Sequence, residues 1–519
     1  MSSKLLEKEI PYSQILKFLT NMQKRHFQSL NKTAKLLLLA NIKKLSFNQR
    51  TPNLYTYLQW IRNNSQYLSG IVEIEIDTQD AQEFSQIMNT LVLLEYKNIN
   101  KIVIRYLFQI INPNILKQFF YKIPNIQILN ITNIIFAEIL DIYIFKYIQV
   151  LEITNNILDI FDETRFTLFF KNNHWKYLRE IYIYNINTSG FSILCNCFMQ
   201  NKSKIEKINL FFFDITEISG PIKSYLESDL IKKIRTIEIN NSEHFINDRL
   251  IEYFFTPLIH KIESNLINDD HLITIGNTCT SLKELDIIQA LFTQRGFHKF
   301  LKTNQCKHLK KLTANLNYLY PENIHQYLPS LEEMNLDYFC DLQDEINTKN
   351  FLIASQDLKS IEFSSSWDYN YIIPEFQKFK HLESLSFSYN YISLSQFILL
   401  MNVLNQHVIK SISLNISEFS FEMIAPFFKH LSHLQEIIIG FHVHEDFNRI
   451  MIEIQMMRFL DIISSLDIKN RHLTKLNLIA NINNNEIRIP NHRQRMLQLL
   501  DKFPNLKSVQ LGWGIFYFP

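Results

Sequence analysis

His381-Leu382-Glu383-Ser384-Leu385-Ser386-Phe387 places apolar residues at 382, 385 and 387 and leaves polar ones between them. The pattern is L-x-x-L-x-L. Leu358, Ile361 and Phe363 carry it 24 residues earlier, and Ile409, Ile412 and Leu414 carry it 27 residues later. The last two apolar positions of each copy have the two-residue period of a strand buried on one face. A unit recurring at such an interval cannot bury its apolar edge alone, so neighbouring copies must stack into a solenoid.

Outward from this stretch the pattern runs through most of the chain. First apolar positions fall at Ile42, Ile71, Ile99, Ile126, Ile148, Leu178, Ile205 and Ile234. They resume at Leu282, Leu309, Leu331, Leu358, Leu382, Ile409, Leu434, Leu473 and Leu506. The gap from Ile234 to Leu282 spans about two units, and Ile259-His260-Lys261-Ile262 near its middle reads as a degenerate copy. After Phe387, Ser393 or Ser395 is placed to cap a helix carrying Phe397, Ile398, Leu400, Met401 and Leu404. The longer intervals after Leu434 and Leu473 are expected to hold enlarged helices or loops, among them a polar, basic stretch at 481–495. The aromatic residues 512–519 are expected to close the last core layer.

This pattern resembles the leucine-rich-repeat family over residues 42–511, although the Asn or Cys after the strand is irregular and Ile or Phe often replaces Leu. The resemblance implies an α/β leucine-rich-repeat solenoid. It would be a curved horseshoe with parallel strands on the concave face and helices on the convex face. Residues 42–519 would form about 17–18 irregular repeats. Residues 1–41 stand outside the repeat and read as a short helical N-terminal cap covering the apolar surface of the first unit.

Residues 10–47 also look distantly like an F-box joined to repeats: Ile10-Pro11, Ile15-Leu16, Phe18-Leu19 and Leu30-Asn31-Lys32 precede the first motif. Ala34 stands near where that family carries a tryptophan. The resemblance implies a substrate-recognition subunit of a ubiquitin ligase with a Skp-type adaptor at the N-terminus.

An apolar fraction of 46% with 20% charged residues is ample for a continuous core. Abundant Ile, Asn, Lys, Phe and Tyr with only 8 glycines reflect an AT-rich, protist-like genome. The 53 basic and 51 acidic residues nearly cancel, so no overall field draws the chain to nucleic acid or an anionic membrane. Cys195, Cys197, Cys279, Cys306 and Cys340 form an odd, scattered set, which points to a reducing, intracellular compartment, cytoplasmic or nuclear. The most apolar region, 107–151, is interrupted by charges and prolines, and no membrane insertion is expected.

Strand residues alternate, so those between the buried positions face the inner curve. There the sequence places twelve acids against six bases, which disfavours phosphate and hence nucleic acid on this face. The candidate partner-binding residues are Glu180, Tyr182, Tyr184, Phe211, Glu238, Glu284, Asp286, Glu333, Asp337, Ser384, Ser386 and Ser388. The aromatics among them are anchors for another protein, while the serines make a small neutral zone.

No phosphate loop or nucleophile elbow is present. His442-Val443-His444 lacks structural zinc spacing, and Cys195-Asn196-Cys197 reads as apolar filler. No cofactor, metal or catalytic activity is expected. The function expected is a non-catalytic protein-protein interaction scaffold, with the F-box-like subunit and a structural subunit of a large protein or ribonucleoprotein assembly as alternatives.

Overall fold

The computed structural model describes residues 43–48, 54–63, 65, 68, 70–78, 80–94, 98–105, 113–132, 145, 147–154, 163–172, 175–214, 218–241, 248–288, 290–315, 327–337, 357–363, 369–404, 408–416, 433–442, 472–481, 503, 505, 506, 508–511 and 514–517. Two compact units divide the chain, one running to Leu266 and taking in Thr278–Thr280, the other running from Ile267. The cap expected at 1–41 and the motif position Ile42 lie outside the described residues.

In the first unit the strands are β1 (Lys44–Asn48), β2 (Glu73–Asp77), β3 (Lys101–Arg105), β4 (Ile128–Thr132), β5 (Val150–Thr154), β6 (Glu180–Asn187), β7 (Lys207–Asp214), β8 (Thr236–Asn241) and β9 (Lys261–Glu263). Each pairs in parallel with the next. The three-residue β9 is the degenerate copy around Ile262, which is buried like its counterparts.

The second unit contains β10 (Glu284–Ile287), β11 (Lys311–Asn315), β12 (Glu333–Asp337), β13 (Ser360–Phe363), β14 (Ser384–Ile392), β15 (Ser411–Ile416), β16 (Glu436–His442), β17 (Lys475–Asn481), β18 (Ser508–Leu511) and β19 (Gly514–Tyr517). These too pair in sequence order, in parallel except for the last step. β19, from the aromatic C-terminal stretch, runs antiparallel along β18. Parallel strands joined through helices, with the L-x-x-L-x-L spacing on β1–β8 and β10–β18, make both units leucine-rich-repeat solenoid of the α/β class.

Register converts the motif into columns. Ile361, Leu385 and Ile412 are Cα partners, as are Ile181, Ile208 and Ile237, and all six are buried. Each burial contributes about 1.5–3 kcal/mol relative to exposure. Behind the strands, aromatic side chains fill the layer between repeats. Phe120 meets Phe145 at 5.5 Å, Phe145 meets Phe169 at 5.8 Å, and Phe169 meets Trp175 at 5.2 Å between ring centroids. Trp175 donates its indole N–H to the Phe170 carbonyl at 2.9 Å, so the largest core side chain leaves no polar atom unpaired.

The connecting helices begin where the sequence supplies a cap. Ser393 and Gln396 form a reciprocal capping box: Gln396 N–H donates to Ser393 Oγ at 3.3 Å and Ser393 N–H to Gln396 Oε1 at 2.9 Å. Ser393, not Ser395, is therefore the cap of helix Leu394–Leu404. Phe397, Leu400 and Leu404 are buried as expected, whereas Ile398 faces solvent because it sits one residue off the buried stripe. Some connections add a 3-10 turn after the helix, such as Asn304–His308 and Ile373–Lys378.

Helix Thr188–Asn201 ends in a Schellman motif: Lys202 N–H donates to Met199 O at 3.3 Å and Ser203 N–H to Phe198 O at 3.1 Å. Lys202 thereby takes a left-handed backbone, φ 48°, the one positive-φ non-glycine among the described residues. That conformation costs a β-carbon-bearing residue about 1 kcal/mol. Lys202→Gly is expected to stabilise the first unit by about 0.5–1 kcal/mol, read as a higher urea midpoint. A lower midpoint would show that the lysine side chain contributes more than its backbone costs.

Candidate partner-docking face

On each strand the residues between the buried positions point to the solvent face of the sheet, and parallel register lines them up in rows. In the first row Lys44, Glu73 and Lys101 are successive partners, and so are Glu180, Lys207, Thr236 and Lys261. The second row includes Glu75, Glu152, Tyr182, Asn209, Glu238 and Glu263, and the third brings Tyr184 beside Phe211.

Opposite charges at neighbouring row positions close onto one another. Lys44 bridges Glu73 at 3.0 Å and Glu75 at 2.7 Å; Lys101 reaches Glu73 at 3.0 Å and Arg105 reaches Glu75 at 3.3 Å. Glu238 is held between Lys207 at 2.8 Å and Lys261 at 3.1 Å, and Asn209 donates to its other oxygen. Lys311 pairs with Glu333 at 3.3 Å, and Lys475 with Glu436. Glu73, Glu75, Glu238, Glu333 and Glu436 are thus held in cross-strand ion pairs.

These pairs set the protonation of the face. Burial alone would raise the Glu238 carboxyl, but hydrogen bonds and charge from Lys207 and Lys261 outweigh it and hold it below the usual value. Glu73 is held down in the same way by Lys101 and Lys44. Glu152 is the opposite case: burial raises its carboxyl, and the charges of Arg105 and Lys101 offset this only in part.

The expected site residues fall into two groups. In the first unit, Glu180, Tyr182, Tyr184, Phe211 and Glu238 come together on β6, β7 and β8. Tyr182 donates its hydroxyl to Glu180 at 2.8 Å, and Lys207 lies over its ring at 5.0 Å from the centroid. Tyr184 and Phe211 are both half-buried on the solvent face, so Phe211 does not turn into the core. Glu238 is nearly enclosed, which makes it a support for the face more than a contact surface.

In the second unit Glu284 and Asp286 lie on β10, and Glu333 is exposed on β12. Asp337 is the register partner of Asn315, and its side chain lies outside the described residues. Ser384 pairs with Ser360 and Ser411, and Ser386 with Glu362 and Ser413, so the serine zone also carries the Glu362 carboxylate; the Ser388 side chain lies outside the described residues. Sequence reading placed Glu152 on this face without singling it out, because no residue pattern tells which acids lack a cross-strand cation.

At the N-terminal rim of the strands, Asn98, Asn100, Asn125, Gln127, Gln149, Tyr147 and Tyr177 line an uncharged groove of about 520 Å³. Cys195 and Cys197 are buried in helix Thr188–Asn201 as filler, and burial pushes both thiols up, Cys197 to about 12. Among the described residues no three His, Cys, Asp or Glu side chains are placed to share a metal ion, and no helix is long and apolar enough to cross a membrane. His444 lies outside them.

Fold and face together define a leucine-rich-repeat solenoid with a polar sheet face that carries aromatic side chains. No family model and no curated protein matches the chain. Solved structures to which it is similar include the yeast Rad7 and Elc1 complex, with 10% identity over 91% of this chain and 97% of that one, at a TM-score of 0.33. Another is the TLR13–ssRNA13 complex, with 13% identity over 86% of this chain and 67% of that one, at a TM-score of 0.38.

Because the folded Glu238 carboxyl is depressed, its ion pairs stabilise the unit above the unfolded carboxyl value, and that contribution is lost as pH falls through the folded one. Glu238→Ala is expected to destabilise the first unit by about 1–3 kcal/mol at neutral pH, and its urea midpoint should converge on the parent's in strong acid. An unchanged gap in acid would place the loss in packing.

Proposed function

We propose that the chain is a non-catalytic protein-interaction scaffold whose partner docks on the solvent face of the sheet. The carrying observation is the half-buried aromatic cluster Tyr182, Tyr184 and Phe211, on adjacent register positions, set in a face otherwise closed by ion pairs. Rigid aromatic side chains held on strands lose little entropy on binding and supply the anchors typical of protein interfaces. Glu284, Asp286, Glu333, Ser384 and Ser386 offer contacts on the second unit's own sheet face, and the strand pattern leads us to expect the same of Asp337 and Ser388. Engaged lysines leave little positive charge for phosphate, so the partner is a protein and not a nucleic acid. Free, buried Cys195, Cys197, Cys279 and Cys306 accord with an intracellular setting, cytoplasmic or nuclear.

A Skp-type adaptor at residues 1–41 is a second reading, resting on Ile10-Pro11 and the apolar pairs that follow. Affinity purification of tagged full-length chain with quantitative mass spectrometry tests both. Tyr184→Ser with Phe211→Ser is expected to lose the scaffold's partner, while deletion of 1–41 loses the adaptor alone. Equal recovery by the parent and the double variant would overturn the docking face.

A further inference from the structure

Glu152 differs from Glu73, Glu75 and Glu238 on the first unit's solvent face. Its neighbours Glu73, Glu75 and Glu238 each carry a lysine or arginine within 3.3 Å. Among the described residues the half-buried Glu152 carboxylate makes no hydrogen bond and no ion pair. The cations that act on it, Lys101 and Arg105, come from β3 and are engaged by Glu73 and Glu75. A half-buried carboxylate without a partner is a standing free-energy cost that a cation would relieve.

Its surroundings specify the cation. Glu152 is the register partner of Tyr182, and Tyr184 stands two residues further along the same face of β6, near enough for the Glu152 charge to act on its hydroxyl. Across β5 to β9 the face carries the carboxylates of Glu152, Glu180, Glu238 and Glu263 against the ammonium groups of Lys207 and Lys261. The local balance is negative. Lys207 over the Tyr182 ring demonstrates that these rings accept a cation.

We propose that Glu152, Tyr182 and Tyr184 form a receptor for an arginine side chain of the protein partner. The guanidinium would donate to the Glu152 carboxylate while its plane lies against the Tyr184 ring. A planar fork suits this arrangement better than a point-like ammonium, because it can stack and hydrogen-bond at once. The inference rests on the scaffold reading and names the chemistry of its partner.

The test uses the full chain and N-acetylarginine amide as the probe, followed by saturation-transfer-difference NMR. Binding is expected for this probe and not for its neutral isostere, N-acetylcitrulline amide. Glu152→Gln and Tyr184→Ala should each weaken it about tenfold. Removing an unpartnered charge should also leave the Glu152→Gln chain at least as stable as the parent at neutral pH. Equal signals for arginine and citrulline, an undiminished signal in Glu152→Gln, or equal binding of N-acetyllysine amide would overturn the proposal. So would a drop in stability of Glu152→Gln, which would reveal an internal partner. If Glu152→Gln still recovers the cellular partner that the Tyr184/Phe211 variant loses, the arginine site fails and the scaffold reading stands.

Discussion

Each repeat is tied to the next by one carbonyl. The residue preceding a strand accepts two backbone N–H groups from the following repeat: Lys359 O takes those of Glu383 and Ser384 at 2.8 and 2.9 Å, and Glu383 O takes those of Lys410 and Ser411 at 2.7 and 3.0 Å. The same three-centre bond recurs at Gln149, Arg179, Glu206 and Arg235 in the first unit. It satisfies both donors at the strand entrance and fixes register before the ladder begins. A one-residue slip would break it and would also turn every buried Leu or Ile to solvent.

Fixed register is what turns sequence into surface. The residues supplying these carbonyls form a row of their own, and from Lys310 to Lys410 that row alternates in charge through Glu332, Lys359 and Glu383, with Lys283 before it and Gln435 after it. Glu332 pairs with Lys310 at 2.8 Å and Lys359 at 2.9 Å, and those lysines hold its carboxyl down to about 2. Exposed pairs of this kind add little stability singly. Their clearer effect is on register, because a one-residue slip would separate the paired charges. Rows of the solvent face are built in the same way, with Lys207 and Lys261 closing on Glu238 and no such cation on Glu152 among the described residues.

Period and burial were legible in the sequence because they are local. Leu382, Leu385 and Phe387 are buried as the spacing requires, and Ile262 occupies a real if short strand with Ile259 buried just before it. Cross-strand chemistry was not legible, because Glu238 meets Lys207 and Lys261 from repeats 31 and 23 residues away, and only three-dimensional register brings them together. A count of acids therefore did not separate a paired one such as Glu238 from Glu152. The outward turn of Ile398 was hidden for a related reason, since helix phase against the sheet depends on where Ser393 caps it.

Hydrogen exchange on the intact chain measures this constraint directly. The amides of Glu383, Ser384, Lys410 and Ser411 belong to residues with solvent-facing side chains, yet the three-centre bonds require them to exchange with the slow core of the second unit. Exchange at the rate of an unstructured peptide at these four positions would contradict the account.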